Sequence, residues 1–265
     1  MEELNSKDFI KLLPYFERCE HQIPMMRSVI EGKQKGRILV DNPSNPETFV
    51  IITNFNWIYV IGNQESESFK KEFSDFIAKE FAVKNEHFAW NNLNSYWQSK
   101  LVELLGDEVR SFPRVVYKFN KDKYIKTNWR AMLPYGYELR AIDNNLIGEA
   151  CEFLDGIEMF WTTGENFLKQ GMGFCLLHEN KIISACQSCA VINGKCEIDV
   201  LTHKDYRKKD LSAIVCSAFI EHCLEVGLEP YWECVRANIP SSKLAEKLGF
   251  EEVKEYPFSA FFKNA

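Results

Sequence analysis

The stretch YRKKDLSAIV at 206–215 places Arg207, Lys208 and Lys209 directly before an apolar run with helical spacing, and shortly after EIDVLT, which reads as a strand. A strand, a cationic loop and a helix start together make an anion cradle. The first helical turn has N–H groups without an intrahelical acceptor, and the helix dipole favours negative charge there. Glycine usually lets such a loop approach a phosphate without a Cβ in the way. Here the two small-residue positions hold Asp210 and Ser212, between which Leu211 begins the helix and after which Ala213 continues it. Asp210 is also a helix N-cap type, so its carboxylate is expected to turn onto the N–H groups of its own helix and leave the loop free. The competing reading of the three cations is a solvated loop. Carboxylates stand close by. Glu197 and Asp199 share one face of EIDVLT, and Glu233 lies in the next strand, PYWECV. A carboxylate held beside an amine can take its proton, although each of the three can equally be an exposed strand residue. His203 reads as a turn residue.

The elements that must position these groups follow from periodicity. The first 30 residues are helical in pattern, broken at Pro14 and Pro24. GRILVD, TFVIIT and WIYVIG are strands, and 66–81 is a helix with Phe69, Phe73, Phe76, Ile77 and Phe81 on its inner face. EHFAW is a strand, 93–106 a helix closed by Gly106, and RVVYKF a strand. The stretch 120–135 has no clean period and reads as a linker. YELRAI is then a strand and 143–170 mostly helical. Three strands follow, with turns at HEN and NGK. Then come a helix at 210–227 with Leu211, Ile214, Val215, Ala218, Phe219 and His222 on one stripe, the strand PYWECV, the helix PSSKLAEKLG and a last strand, FSAFF.

SKLVELLG at 99–106 and SKLAEKLG at 242–249 agree at six of eight positions, and SDFI at 74–77 matches SAFI at 217–220 at the same offset of 143. The equal offset and the repeated order of elements indicate an internal duplication. The chain divides into 1–130 and 131–265, both α/β, each a mixed twisted sheet flanked by helices. The offset sets QESESFK opposite RKKDLSA, so Glu65 and Glu67 stand where the second half has Lys208 and Asp210. That acidic surface should not hold a phosphate.

A net charge of −6 over 265 residues excludes general affinity for nucleic acid or an anionic membrane, so any anion site is local. No apolar run is long enough to span a membrane, and the acidic, amphipathic start is not a signal peptide. Eight of the nine cysteines lie beyond position 150. They read as reduced thiols of a cytoplasmic protein. Cys186-x-x-Cys189 lacks a second pair, and two residues three apart in a strand point to opposite faces, so no metal site is expected.

VLTHKDYRKKDLSAIV and NIPSSKLAEKLGFEEV, in this order and at this distance, resemble the two signature blocks of the GNAT acetyltransferase superfamily. Within it, EPYWECVRANIPSSKLAEKLGF is most similar to the branch of zwittermicin-resistance-type acetyltransferases. The resemblance covers 136–265 and makes the first half a degenerate copy of the same unit. It implies acetyl-CoA as co-substrate and transfer of an acetyl group to the amine of a small molecule, in a monomer or homodimer. It implies that Val200, Leu201 and Thr202 contact the donor through their backbone, that 207–213 cradles its diphosphate, and that Asn238 touches coenzyme A. Ser241 and Ser242 are ligands or caps of their helix. Glu197, Asp199 and Glu233 are the candidate bases. Where the family often has a tyrosine that protonates the leaving thiolate, this chain has Ala245. The departures at Asp210 and Ala245 leave two alternatives: an inactive GNAT-fold binding module, or a transferase using another acyl-CoA.

Overall fold

The computed structural model describes residues 1–19, 22–82, 87–91, 93–124 and 128–262. The first half of the chain runs β1 (Glu2–Glu3), α1 (Leu13–Phe16), α2 (Pro24–Ile30), β2 (Gly36–Val40), β3 (Thr48–Thr53), β4 (Trp57–Gly62), α3 (Glu67–Ile77), β5 (Phe88–Asn91), α4 (Ser95–Leu105) and β6 (Val109–Ser111). The second runs β7 (Arg114–Phe119), α5 (Trp129–Met132), β8 (Tyr137–Ala141), α6 (Ile147–Phe153), α7 (Asp155–Trp161), α8 (Gly164–Gln170), β9 (Gly173–His178), β10 (Lys181–Ile192) and β11 (Lys195–Thr202). It continues with α9 (Leu211–Glu225), β12 (Glu229–Val235), α10 (Ile239–Lys247), β13 (Phe250–Tyr256) and β14 (Phe258–Phe261).

The periodic segments fold as their patterns require. TFVIIT is buried along its whole length, as suits an inner strand, and KIISACQSCAVI is buried at nearly every position. Pro14 and Pro24 sit in the first turns of α1 and α2, where a missing N–H costs nothing, so they start helices rather than break them. The matched glycines of the repeat close their helices in the left-handed region, Gly106 at φ 68° and Gly249 at φ 84°.

Two sheets result. The first has the order β1-β2-β3-β4-β5-β14-β6. The second, from its β8 edge, is β8-β9-β10-β11-β12-β7-β13. Slot by slot the orders are the same, and each sheet has one parallel pair at its centre, β4 with β5 and β11 with β12. The duplication is therefore present in the fold, with one exchange. β14, the last strand of the chain, fills the penultimate slot of the first sheet, and β7 fills the same slot of the second.

That exchange alters the division of the chain. The compact units are Met1–Arg114 with Glu255–Ala265, and Val115–Lys254. The sequence places the boundary at 130 because periodicity fades there. The strand before that point, β7, already belongs to the second sheet, and β14 returns to the first. The expected linker is also partly core, although its residues 125–127 lie outside the described ones. Tyr124 and Trp129 are buried; the Tyr124 hydroxyl donates to the Ser217 carbonyl at 3.3 Å, and the Trp129 indole to Glu221 at 2.9 Å. Among the described residues no helix is long and apolar enough to cross a membrane.

In the second unit α9 covers one sheet face, with Leu176, Cys186, Cys196, Ile198, Trp232 and Phe250 in the same core. On the other face α6, α7 and α8 pack on Cys175, Leu177, Ile182 and Ala185. Burial pushes the Tyr124 phenol up to about 12, against the pull of its Ser217 hydrogen bond. A folded value above the ordinary 10.0 stabilises the protein below about pH 10, and that contribution is lost as the pH rises through about 12. Tyr124→Phe should cost about 1 kcal/mol at neutral pH and flatten the fall of stability across this alkaline window. Urea denaturation from pH 7 to 12 measures both.

Candidate active site

β11 and β12 keep register over a short stretch, Lys195 with Glu229, Cys196 with Pro230 and Glu197 with Tyr231. Beyond Glu197, β11 continues to Thr202 on the β10 side alone, where Val200 faces Cys186, Leu201 faces Ala185 and Thr202 faces Ser184. Its other edge faces a gap between two parallel strands. Val200, Leu201 and Thr202, the expected backbone contacts, border that gap. The Thr202 hydroxyl is held by Ser184 at 2.8 Å.

The loop after β11 is tied down at its base. The His203 N–H donates to the Ile183 carbonyl, and the Tyr206 hydroxyl lies 3.0 Å from His178 Nδ1, whose ring stacks on Tyr137 at 4.4 Å. The expected cations differ in what they do. Arg207 turns back, its Nε donating to the Thr202 carbonyl at 3.1 Å. Lys209 sits over the Tyr206 ring at 5.0 Å. Lys208 is exposed, with a left-handed backbone at φ 61°. The N–H groups of Lys208, Lys209, Asp210, Leu211 and Ser212 find no acceptor among the described residues. The N–H of Ala213 is taken by the Asp210 carbonyl at 3.0 Å, so Ala213 is not a free donor. Leu211 is buried, so only its backbone can serve a ligand.

Asp210 departs from its expected role. It occupies the N-cap position of α9 with φ 56° and ψ 13°, and its side chain makes no capping hydrogen bond. A cap residue normally has an extended backbone, which aims its oxygen at the first turn; the left-handed conformation aims it elsewhere. The carboxylate instead pairs with Lys247 of α10 at 2.8 Å. The position requires a positive φ. Glycine adopts this freely, and Asp is among the few other residues that tolerate it. Helix α9 is itself apolar on most sides, with Cys216, Ser217, Ile220 and Cys223 as buried as the expected stripe, while His222 is partly exposed. A helix of that kind is a core helix, and its N-terminus is held firmly at the gap.

The three candidate carboxylates come to one sheet face, opposite α9. Glu197 is 6 % and Glu233 8 % exposed, and Glu233 accepts a hydrogen bond from Tyr231 at 3.1 Å. Asp199 is the first carboxylate past the point where β11 and β12 part. Burial raises its pKa, opposed by hydrogen bonds from Gln187, whose Nε2 lies 3.0 Å from Oδ2, and from the Val200 N–H. Gln187, Gly156, Tyr206, His178 and Lys247 were not singled out from the sequence. A glutamine inside an otherwise apolar and small-residue strand, and a glycine inside a helix, were the available signals for the first two.

Asn238 and Ser241 are engaged within the unit. Asn238 Oδ1 accepts from the Ser241 N–H at 3.3 Å and caps α10, and Ser241 Oγ accepts from the Trp232 indole at 3.2 Å. Ser242 Oγ lies 3.5 Å from Cys234 Sγ. The capping reading thus accounts for Asn238, and Ser241 packs on β12. Ala245 is fully buried. The thiols nearest the gap are not nucleophiles. Burial drives Cys186 upward, and the hydrogen bond with Cys223 together with burial does the same for Cys196.

The first unit has the same parting of parallel strands, and side chains bridge the loop beside it. The Gln64 side chain accepts from the Asn94 N–H at 2.8 Å, Glu65 accepts from Asn94 Nδ2 at 2.5 Å, and the Trp97 indole donates to the Gln64 carbonyl at 3.4 Å. The loop before α3 is therefore sewn to the start of α4, and Trp97 is buried against Phe69 and Phe73. Among the described residues no hydrogen bond links 203–209 to the start of α10 in the second unit.

The model of the family described as GNAT acetyltransferase matches residues 14–259. The chain belongs to this family. It is 29% identical over 260 residues to YdfB, an uncharacterised N-acetyltransferase of Bacillus subtilis (strain 168), with 97% of both chains covered. A GCN5-related N-acetyltransferase-like protein of Streptococcus suis 89/1591 superimposes with a TM-score of 0.75 at 25% identity, over 97% of this chain and 100% of that one. A tandem GNAT protein from the clavulanic acid biosynthesis pathway shares the fold, with a TM-score of 0.65, 11% identity, and 100% and 99% coverage. The chain is thus an acyltransferase of the GNAT family with two mixed α/β sheets, a fold shared with that tandem GNAT protein.

The left-handed backbone at Asp210 reverses the sign expected of a cap. Asp210→Gly should leave the unfolding midpoint unchanged or raised. Relief of the Cβ contact is worth about 1 kcal/mol, against at most about 1 kcal/mol for an exposed ion pair. Thermal denaturation of the purified variant checks this, and a fall of several degrees would contradict it.

Proposed function

We propose that the second unit is an acetyl-CoA-dependent N-acetyltransferase that acts on a small-molecule amine by direct attack. The observation that carries this reading is the cationic loop at 207–209, with open N–H groups at 208–212 beside parted strands, where the corresponding loop of the first unit carries Glu65 and Glu67 and is bridged by side chains to the start of α4. Such a row, at the N-terminus of a buried helix, suits a diphosphate. Arg207 and Lys209 brace the loop, and Lys208 adds charge. Lys247 neutralises Asp210, which removes much of the repulsion that an acidic residue would exert there.

On the other face Asp199 is the base. It lies just beyond the last register of β11 with β12, and burial raises its pKa, which favours proton capture. The amine attacks the thioester carbonyl while Asp199 takes its proton. The β11 backbone at Val200, Leu201 and Thr202 borders the oxygen on which charge develops, and of its N–H groups that of Thr202 faces the gap. The buried Ala245 has no hydroxyl to offer, so coenzyme A leaves as thiolate and is protonated by water. Glu197 and Glu233 lie on the same sheet face as Asp199, where a cationic acceptor would approach. The likeness of 229–250 to zwittermicin-resistance-type acetyltransferases supports a small soluble acceptor. The nine unpaired cysteines support a cytoplasmic setting. The rival of an inactive binding module is weakened by the Lys247 pair, since Asp210 no longer opposes the donor uncompensated.

Acetyl-CoA should raise the unfolding midpoint, and replacing Arg207, Lys208 and Lys209 together with Ala should abolish the rise. Thiol release across a panel of primary amines identifies an acceptor. With it, Asp199→Asn should lower kcat about 100-fold or more while donor binding changes less than about twofold. Equal turnover in the variant would remove Asp199 from the mechanism.

A further inference from the structure

Gln187 lies at the middle of β10, directly opposite Asp199 in the antiparallel register, and is fully buried. A buried amide offers one acceptor and two donors, and each left unmet is costly. Nε2 donates to Asp199 Oδ2 at 3.0 Å, whereas Oε1 has no partner among the described residues. Gly156 of α7 roofs the pair. A Cβ there would stand 2.4 Å from Gln187 Nε2, 3.0 Å from Asp199 Oδ2 and 3.0 Å from Phe160 Cε2. Gly156 does not have a positive φ, so the requirement is for space. A glycine inside a short helix that lowers helix stability, placed against a buried amide and a half-buried carboxylate, marks a close approach.

The surroundings of Asp199 limit what can set its protonation. Glu197 on its own strand and Tyr231 and Glu233 on β12 share its face, and Lys195, on that face too, lies over the Tyr231 ring at 5.6 Å. Cys186 is its titratable neighbour on β10. From α7 the nearest atoms are those of Gly156 and Phe160, and the helix's Asp155 and Glu158 are exposed. Gln187 is the side chain that touches the carboxylate directly.

We propose that Gln187 is the positioning residue of Asp199, holding the carboxylate through Nε2 and turning its amide over on proton capture so that Oε1 accepts the new acid's O–H, with Gly156 leaving the room for both states. The inference rests on Asp199 being the base. The proton moves from the attacking amine to Asp199, and the amide rotates without any bond being made or broken. The unmet Oε1 then has a purpose, because it is the acceptor required once Asp199 is protonated.

The test uses the full-length protein labelled for NMR. Asp199 is assigned as the carboxyl resonance absent from Asp199→Asn. In wild type, the side-chain amide of Gln187 should titrate with the same midpoint as the Asp199 carboxyl. Gln187→Leu removes a donor that favours the charged form, so the Asp199 midpoint should move up. Gly156→Ala, which adds no titratable group but displaces Nε2 and crowds Asp199 Oδ2, should move it in the same direction. A Gln187 amide that stays flat through the Asp199 titration in wild type overturns the proposal even if both variants fail to fold. So does a folded Gln187→Leu with an unmoved midpoint. If Asp199→Asn keeps full acetylation of an amine, the assignment of the base fails separately, and the titrations still report whether the two side chains are coupled.

Discussion

Two parallel strands that part after Glu197 and Tyr231 are the constraint on which this molecule depends. A β-strand edge and the first turn of a helix both carry N–H groups that need acceptors. Where β11 leaves β12, those groups are gathered around one gap. Helix α9, apolar on most sides, cannot shift to cover them without exposing its core. The loop between is pinned by Tyr206 to His178 and by Arg207 to the end of β11. The backbone thus presents its donors, and a ligand with anionic oxygens is the partner that completes them.

The first unit shows what the same fold does when it is not required to bind. There Gln64 and Glu65 accept from Asn94, and the buried Trp97 donates to the Gln64 carbonyl. Bridging the loop to α4 gives these hydrogen bonds to the unit permanently, whereas a cationic loop without such bridges postpones that gain until a donor arrives. The first sheet also takes β14 from the end of the chain, so the first half of the chain does not complete its own sheet.

Much of this was legible in the sequence. The strands β2, β3, β4, β9, β10 and β11 follow from short apolar runs bounded by turn residues, and the motif order marks the second half as the one with the cradle. The equal offset of the repeat foretold the matching strand orders. The exchange of β7 and β14 was not legible, because periodicity says which face of a strand is buried and not which strand lies beside it. The short edge strands β1 and β6 and the strand β13, exposed at Glu252, Val253 and Glu255, lacked an apolar signature. Asp210 was read by its residue type as a cap, and its backbone conformation decided otherwise. Lys247 lies 37 positions from Asp210 in the chain, and no local rule connects them. Gln187 and Gly156 are joined only by the packing of α7 on the sheet.

The central claim is that one of two homologous gaps is open and receives the donor's phosphates on backbone N–H groups. Amide hydrogen exchange of the full chain, with and without acetyl-CoA, reads those groups directly. Expected is slowed exchange at 208–212 on adding the donor, with no change at 63–68 in the first unit. Slowed exchange at 63–68, or none at 208–212 under saturating acetyl-CoA, would contradict it.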